Sequence, residues 1–573
     1  EINVDKILQN SLPIKDLVDK GIDWLTEHLA GLFKIIQVSG DTMMNFVSDT
    51  LNVIPPLLLL IVIPALAYYV SRKKGFTALT MLGLLFIYNQ GLWEEMLYTF
   101  TLVLVASLIS VLLGIPLGVW MAKSNRAKSI ISPLLDFMQT MPAFVYLIPA
   151  VAFFGIGMVP GVFASVIFAL PPTVRFTNLG IREIPEELIE ASESFGSTDR
   201  QRLFKVELPL AKNTIFAGVN QTIMLALSMV VTASMIGAPG LGNGVLSALQ
   251  HAEIGAGFVS GLALVVLAII IDRFTQFLNQ PKRKAAKQST FAKFLAPILL
   301  ISFLMTGITQ SFLKATTSDK KEITLAYVEW DSEVASTNVL AEVLTSQGYD
   351  VNLISLDNAV AWKSIAEGNA DASVSAWLPT THQAQYEQYK DQLVDLGANL
   401  FGTSLGLAVP SYMDISTIEE LTSQANQTII GIEPGAGIMA AADSAVNEYA
   451  NLSTWSLTAS STGAMVTSLE QALKNEDDIV VTAWMPHWMF AKYDLKFLED
   501  PMGVFGDVEE IHTIVRQGLK EDQADAYNII DQFNWEPEDM QAVMLAISEG
   551  KTPRQSARDW IELNPDKVKE WLD

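Results

Sequence analysis

Val374-Ser375-Ala376-Trp377-Leu378-Pro379 recurs 107 positions later (374 to 481) as Val481-Thr482-Ala483-Trp484-Met485-Pro486. The same shift carries Asp371 onto Asp478, Tyr386 onto Tyr493 and Trp330 onto Gly437. The C-terminal part of the chain therefore reads as two related lobes around a cleft. One lobe brings two indole faces, Trp330 and Trp377. The other brings Trp484 and a glycine-lined backbone.

Working outward, Glu322-Ile-Thr-Leu-Ala-Tyr-Val-Glu329 has strand character and delivers Trp330 to its C-terminal end. A helix over 336–347 and a strand over 350–356 follow, and the rhythm resumes from Ile429. Each lobe is expected to be α/β with a largely parallel sheet, and ligands in such folds bind at the carboxyl ends of strands. Trp330, Trp377, Trp484 and the turn Gly435–Ile438 all fall at such ends. Aromatic faces attract cations that cannot hydrogen-bond, quaternary ammonium groups above all. Glu433-Pro-Gly-Ala-Gly437-Ile438 opens onto an alanine-rich helix expected at 439–450, whose first N–H groups are unpaired donors at the positive end of the dipole. Those donors suit a carboxylate. His382 and His487 follow Trp377 and Trp484 closely, and either can donate to the same carboxylate. A cation cage beside an anion site describes a small zwitterion. Six further tryptophans of this region, Trp362, Trp455, Trp488, Trp535, Trp560 and Trp571, are expected in the core.

Composition divides the chain near residue 318. The whole carries 37 basic and 62 acidic residues, a net charge of −25, yet half of it is hydrophobic. Residues 1–318 hold 23 of those bases and 20 of the acids, so 319–573 hold the other 14 bases and 42 acids. An acidic soluble region argues against nucleic acid, which requires phosphate-neutralising cations. There is no cysteine, which excludes disulfides, thiol catalysis and cysteine-ligated metal. No metal cluster or nucleophile–base set appears, so an enzyme is not expected.

A membrane-crossing helix needs about 20 apolar residues. Eight stretches qualify: 51–71, 76–92, 96–122, 132–155, 158–175, 214–237, 256–278 and 293–313. Basic loops follow the first, third, fifth and seventh, at Arg72–Lys74, Lys123–Lys128, Arg175–Lys212 and 281–287. Eight spans put all four on one side, which should be cytoplasmic. The N-terminus and the acidic domain then lie outside, and no cleavable signal peptide is expected. Residues 4–36 are amphipathic at helical spacing, as a helix packed on the spans or lying in the lipid interface. Within the spans, Asp136 and the pair Asp272–Arg273 are expected to pair locally or reach the interface.

The loop 175–212 reads Glu190-Ala191-Ser-Glu-Ser-Phe-Gly196, nine residues, then Val206-Glu-Leu208-Pro209. Two short helices are expected, with Gly196 turning between them and Pro209 restarting the chain. This resembles the coupling loop of ABC importer permeases: Glu-Ala-Ala, three residues, Gly, nine residues, Ile or Val, any residue, Leu-Pro. Ser192 replaces the second alanine. In that family the loop engages a nucleotide-binding subunit. No G-x-x-x-x-G-K-[ST] phosphate loop occurs here, so ATP and Mg are expected on a separate ATPase and this chain needs no cofactor.

Trp377-Leu-Pro-Thr-Thr-His382, Glu433-Pro-Gly-Ala-Gly437 and Trp484-Met-Pro-His487 resemble glycine betaine-binding proteins of ABC importers. Taken with the loop, residues 50–573 resemble the fused permease–binding subunit of an Opu-type osmoprotectant importer. The resemblance implies a polytopic all-α membrane domain of the type I ABC importer kind, fused to an α/β two-lobed solute-binding domain. Together with the hydropathy and basic-loop reading, the chain is expected to divide into an extracytoplasmic amphipathic segment (1–50), a permease domain (51–292), a last span and linker (293–321) and a binding domain (322–573). It implies a homodimer in the plasma membrane of a Gram-positive bacterium, with two ATPase subunits bearing CBS domains. It carries a cage onto Trp330, Trp377 and Trp484. Carboxylate recognition passes to Gly437, Ile438 and either His382 or His487, and ATPase coupling to Glu190, Ala191, Gly196, Val206, Leu208 and Pro209. The implied activity is ATP-driven import of glycine betaine for osmotic protection. Import of proline betaine, carnitine or choline is the alternative within transport; choline lacks the carboxylate that Gly437 invites. A ligand-binding sensory receptor is the alternative outside it and would need a cytoplasmic output domain.

Overall fold

The computed structural model describes residues 14–250, 253–279, 305–309, 321–506 and 508–572. The chain forms two compact units: Glu1–Ala233 with Ala238–Gly240 and Ala263–Ser311, and Ser234–Gly237 with Leu241–Leu262 and Phe312–Asp573.

The first unit is helical. α1 (Ile14–His28) and α2 (Ala30–Val53) form the N-terminal amphipathic stretch, with α3 (Pro56–Ser71) and α4 (Lys74–Asn89) next. Then come α5 (Trp93–Lys123), α6 (Asn125–Thr140), α7 (Leu147–Phe154), α8 (Met158–Arg182), α9 (Glu186–Ser194), α10 (Asp199–Arg202), α11 (Leu208–Ser228) and, from Ala263 onward, α12 (Ile254–Asn279). Among the described residues, four helices are long and apolar enough to cross a membrane: α5, α8, the run Asp199–Ser234 and Ile254–Leu278. Two bent pairs raise the count to six if each is one span, α2 with α3 at 99° and α6 with the segment Ala143–Phe154 at 105°. Two of the expected spans, 51–71 and 132–155, are thus parts of bent pairs rather than single straight helices. The stretch 132–155 is bent because Met141 precedes Pro142 and is driven to extended backbone (ψ 133°). Ile54 before Pro55 does the same (ψ 123°). Helix α4 has 16 residues, about 24 Å at 1.5 Å each, short of a hydrocarbon core of about 30 Å. The expected span at 293–313, apart from helical 305–309, and the basic run 281–287 lie outside the described residues.

Small residues set the packing of this unit. On α5, a Cβ on Gly118 would fall 2.5 Å from Thr177 Cβ and 2.7 Å from the Val174 carbonyl of α8, so only glycine lets these helices approach. Gly218 of α11 meets α8 in the same way at Phe176 and Pro172. Thr173 and Thr222 satisfy each other's hydroxyls at 2.8 Å between α8 and α11. Asp136 pairs with Arg175 at 2.6 Å. Asp272 is held by Asn220 and Gln276 rather than by Arg273, which bonds Gln276. A neighbouring i+1 side chain faces elsewhere on a helix, whereas i+4 lies directly alongside.

The second unit carries two sheets. β1 (Glu322–Tyr327), β2 (Asp350–Ser355), β3 (Ala372–Leu378) and β9 (Glu509–Arg516) form one with the first part of β4 (Leu393–Pro410). β5 (Thr428–Ile430), β6 (Ser456–Thr458), β7 (Val480–Met485) and β8 (Leu495–Phe497) form the other with its second part. β4 pairs β9 from Leu393 to Thr403, then β7 from Ser404 to Ala408, so one strand serves both lobes. The sheets are mixed rather than largely parallel. β1–β2, β1–β3, β5–β6 and β5–β7 are parallel, while every pairing made by β4 or β9 is antiparallel. These are the strands that carry the chain between lobes, a return path that βαβ patterning does not encode.

α13 (Asp331–Ser346) is buried from Ser332 to Leu344, including its polar faces. A helix buried all round needs cover on both sides. The first sheet supplies one side; α19 (Pro537–Ser548) and α20 (Pro553–Leu563) supply the other. Between these, α14 (Asn358–Ala366), α15 (Gln383–Tyr389), α16 (Gly437–Glu448), α17 (Thr462–Asn475) and α18 (Ala524–Gln532) follow in chain order. Trp455, Trp488, Trp535, Trp560 and Trp571 are buried, as expected.

Candidate functional site

A cavity enclosing about 350 Å³ of empty space lies between the two lobes, lined by Trp330, Trp377, Trp484, Thr381, His382, Gly437 and Ile438, with Leu405 and Ile432 among the apolar remainder. Trp377 and Trp484 close β3 and β7, and both are followed by cis peptide bonds, Leu378–Pro379 and Met485–Pro486. Trp330 precedes α13, and Gly437 begins α16. Of the seven residues singled out for ligand contact, His487 alone does not line this space.

His382 is 1 % exposed. Its Nδ1 accepts the Trp377 backbone N–H at 3.0 Å. The ring proton therefore sits on Nε2, which is buried without a partner. Burial pushes the imidazole down to a pKa of about 4, so the ring is neutral near pH 7 and offers one N–H. Trp330 stacks on the ring at 6.1 Å and Trp362 meets its edge at 5.7 Å. Trp362, expected only in the core, thus braces the histidine.

The amides of Gly437 and Ile438 have no acceptor among the described residues, as the start of a helix dictates. A Cβ on Gly437 would lie 2.2 Å from the Thr381 carbonyl oxygen and 2.4 Å from its Cγ2. Only glycine permits that approach. The turn that brings Thr381 there is held by Glu509, whose Oε1 accepts the Thr380 and Thr381 N–H groups at 2.6 and 2.7 Å while Oε2 accepts the Thr381 hydroxyl. Two further bonds cross the cleft. Trp330 Nε1–H donates to Glu433 at 3.4 Å, and Asn358 donates to the Gly435 carbonyl at 3.3 Å. Glu433 is fixed by the N–H and hydroxyl of Thr462. Three indole faces and three unpaired N–H groups in one cavity can hold a cation and an anion together.

In the first unit, α9 ends at Phe195, and Gly196 turns the chain at φ +77° into the capped α10. Glu190 and Ala191 are exposed, as are Phe195 (91 %) and Phe204 (62 %). Val206 and Leu208 are half-buried and Pro209 is exposed. The expected restart at Pro209 is corrected, because the helix runs on through a π turn at Leu203–Glu207. The wider turn accommodates a proline that lacks an N–H and crowds the preceding turn. Glu207, buried, is neutralised by Lys123 at 2.5 Å and Arg202 at 3.3 Å, and Arg202 also pairs with Glu193 of α9. The loop is thereby tied to α5 while its apolar residues face outward.

Residues 321–563 match the family described as the substrate binding domain of ABC-type glycine betaine transport systems, and 114–284 match the binding-protein-dependent transport system inner membrane component. The glycine betaine/carnitine transport permease protein GbuB of Listeria monocytogenes is 54 % identical over 273 residues, 47 % of this chain and 96 % of that protein. The glycine betaine transport system permease protein OpuAB of Bacillus subtilis is 50 % identical over 272 residues, 48 % and 96 % respectively. The crystal structure of lactococcal OpuAC in its closed-liganded conformation with glycine betaine is 52 % identical, over 44 % of this chain and all of that one, with a TM-score of 0.44. These relatives are transport subunits, and their family implies an ATPase partner. The chain belongs to the ABC-type glycine betaine transport systems, with the multi-pass permease component and the substrate-binding domain in one polypeptide.

Proposed function

We propose that this chain captures glycine betaine in the cavity between its lobes and passes it inward when a separate ATPase subunit hydrolyses ATP. The observation that carries the reading is the buried, neutral His382 with its Nε2–H unpartnered, beside the free amides of Gly437 and Ile438 and facing three indoles. The trimethylammonium group packs against Trp330, Trp377 and Trp484, each contact contributing about 0.5–2 kcal/mol. The carboxylate takes the three N–H donors. A buried donor left unmatched costs about 1–3 kcal/mol, so choline, with no carboxylate, is disfavoured.

Glu190, Ala191, Gly196, Val206, Leu208 and Pro209 belong to the loop that engages the ATPase, supported by the exposed apolar residues around them. Two copies of this chain pair with two ATPase subunits, usually bearing CBS domains, since a two-fold motor needs two such loops. Residues 1–50 and 322–573 lie on the extracellular face, 51–292 form the permease, and 293–321 are the last span and linker. A tethered binding domain suits a Gram-positive cell, which lacks an outer membrane to retain a free one. Calorimetry on the purified chain with glycine betaine, proline betaine, carnitine and choline tests the substrate. Tightest binding of glycine betaine supports the reading; preference for choline, or no binding of any betaine, overturns it.

A further inference from the structure

The internal shift of 107 positions relates more than the tryptophans. It carries Trp330-Asp331 onto Gly437-Ile438, and Thr380-Thr381 onto His487-Trp488. These pairs meet across the cleft in both senses. The start of α16 in the second lobe lies against Thr381 of the first, at the close approach that demands Gly437. The start of α13 in the first lobe meets the equivalent turn of the second, where Asp331 receives His487 Nε2 at 3.3 Å and Trp488 Nε1 at 3.1 Å. The two contacts are one contact repeated by the pseudo-two-fold relation of the lobes. One copy is made by the Gly437 backbone and Thr381, and lies at the cavity. The other carries three side chains that do not line it.

The tautomer of His487 follows from its hydrogen bonds. The Met489 backbone N–H donates to His487 Nδ1 at 3.1 Å, which leaves the ring proton on Nε2, facing Asp331. Oδ2 accepts from the histidine and Oδ1 from the indole, so each carboxylate oxygen receives a donor from the other lobe. His487 is fully buried and the Asp331 side chain is 12 % exposed. Asp331 adjoins Trp330, and His487 lies three residues beyond Trp484. The contact therefore ties cage walls from opposite lobes.

We propose that Asp331, His487 and Trp488 form a latch that holds the lobes shut over bound ligand and sets its residence time without touching it. They are positioning residues. Donors and acceptor sit on different lobes, so the bonds are made on closure, after the ligand has entered. Their loss falls on the dissociation rate, where most affinity differences arise. Hydrogen bonds to a charged acceptor are worth about tenfold to a hundredfold in an equilibrium constant.

The inference rests on glycine betaine occupying the cavity, and the test separates the two ideas. The whole chain, in lipid nanodiscs, is mixed with glycine betaine and followed by stopped-flow tryptophan fluorescence. Absence of a binding signal in the unaltered chain removes the ligand reading, and the latch with it. With binding established, Asp331→Ala should raise the dissociation rate about tenfold or more and leave the association rate within about twofold. Asp331→Asn, which keeps one acceptor oxygen, should recover part of the loss. Trp488→Phe should raise the rate alone, yet add little on top of Asp331→Ala, because both remove one interaction. An unchanged dissociation rate in Asp331→Ala overturns the latch. So do additive effects of the two substitutions, or a fall in unliganded melting temperature that accounts for the change.

Discussion

Replacing Gly437 by alanine adds one methyl group at the tightest point of the closed cleft. The new Cβ would sit 2.2 Å from the Thr381 carbonyl oxygen and 2.4 Å from its Cγ2. Carbon and oxygen in contact keep more than about 3 Å apart, so relief requires roughly 1 Å of separation. Thr381 cannot supply it, because Glu509 holds its N–H and hydroxyl along with the N–H of Thr380. The lobes must stay ajar, which lengthens the bond from the Ile438 amide to a bound carboxylate. Overpacking of this kind costs about 1–3 kcal/mol, a loss of about fivefold to 150-fold in affinity, and a backbone collision places it in the upper part of that range. An open cleft has no clash, so the unliganded melting temperature should not change. Titration calorimetry with glycine betaine, paired with thermal melts with and without ligand, reads both. Wild-type affinity in Gly437→Ala would refute the argument, as would weakened binding matched by an equal loss of unliganded stability.

His382→Phe keeps the ring packed between Trp330 and Trp362 but removes the Nε2 donor, and should weaken betaine binding about tenfold to a hundredfold by calorimetry, with little change for a ligand lacking a carboxylate. Glu333 is buried, accepts the Val328 N–H, and is pushed up to a pKa of about 8 by desolvation. Its folded pKa exceeds the unfolded value near 4.5, so stability falls as pH rises from about 4.5 through about 8. Glu333→Gln should be more stable than the parent at pH 8 by about 4 kcal/mol, and within about 1 kcal/mol of it at pH 5, by denaturant titration. His382 acts in the opposite sense. Its pKa is depressed to about 4, so its contribution is complete above about 6.5 and declines as pH falls toward 4. Gly196→Val forces a β-branched residue to φ +77°, at a cost of about 1–2 kcal/mol or more in the loop. Betaine-stimulated ATP hydrolysis in the assembled transporter should fall while binding persists.

The cavity was legible because a repeat is a one-dimensional signal with a three-dimensional consequence. Equivalent strands end at equivalent places, so Trp377 and Trp484 face one cleft. Gly437 was legible as a helix start, but not as the residue that Thr381 presses against. Spacing could not separate His382 from His487. What separates them is which ring faces the cavity, since both have Nδ1 occupied by a main-chain N–H. Asp331, Glu433 and Glu509 act on partners more than a hundred residues away, and no local pattern marks such pairs. In the membrane unit, hydropathy measured the length of apolar stretches but not their direction, so the bends before Pro55 and Pro142 were invisible. The turn at Gly196 was readable from its motif; the π turn behind it was not.

β4 carries a consequence for motion. It is a single strand whose ladder passes from one sheet to the other at Thr403–Ser404, with irregular register against β9 between Phe401 and Thr403 and Gly402 at φ +81° in that gap. The chain crosses back between β8 and β9. Two crossings define a line, and rotation about that line disturbs the ladder of β4 less than splaying or sliding does. The lobes therefore open along essentially one coordinate. A partner that pulls one lobe in the right sense needs no grip on the ligand to empty the cleft; torque about that axis is enough.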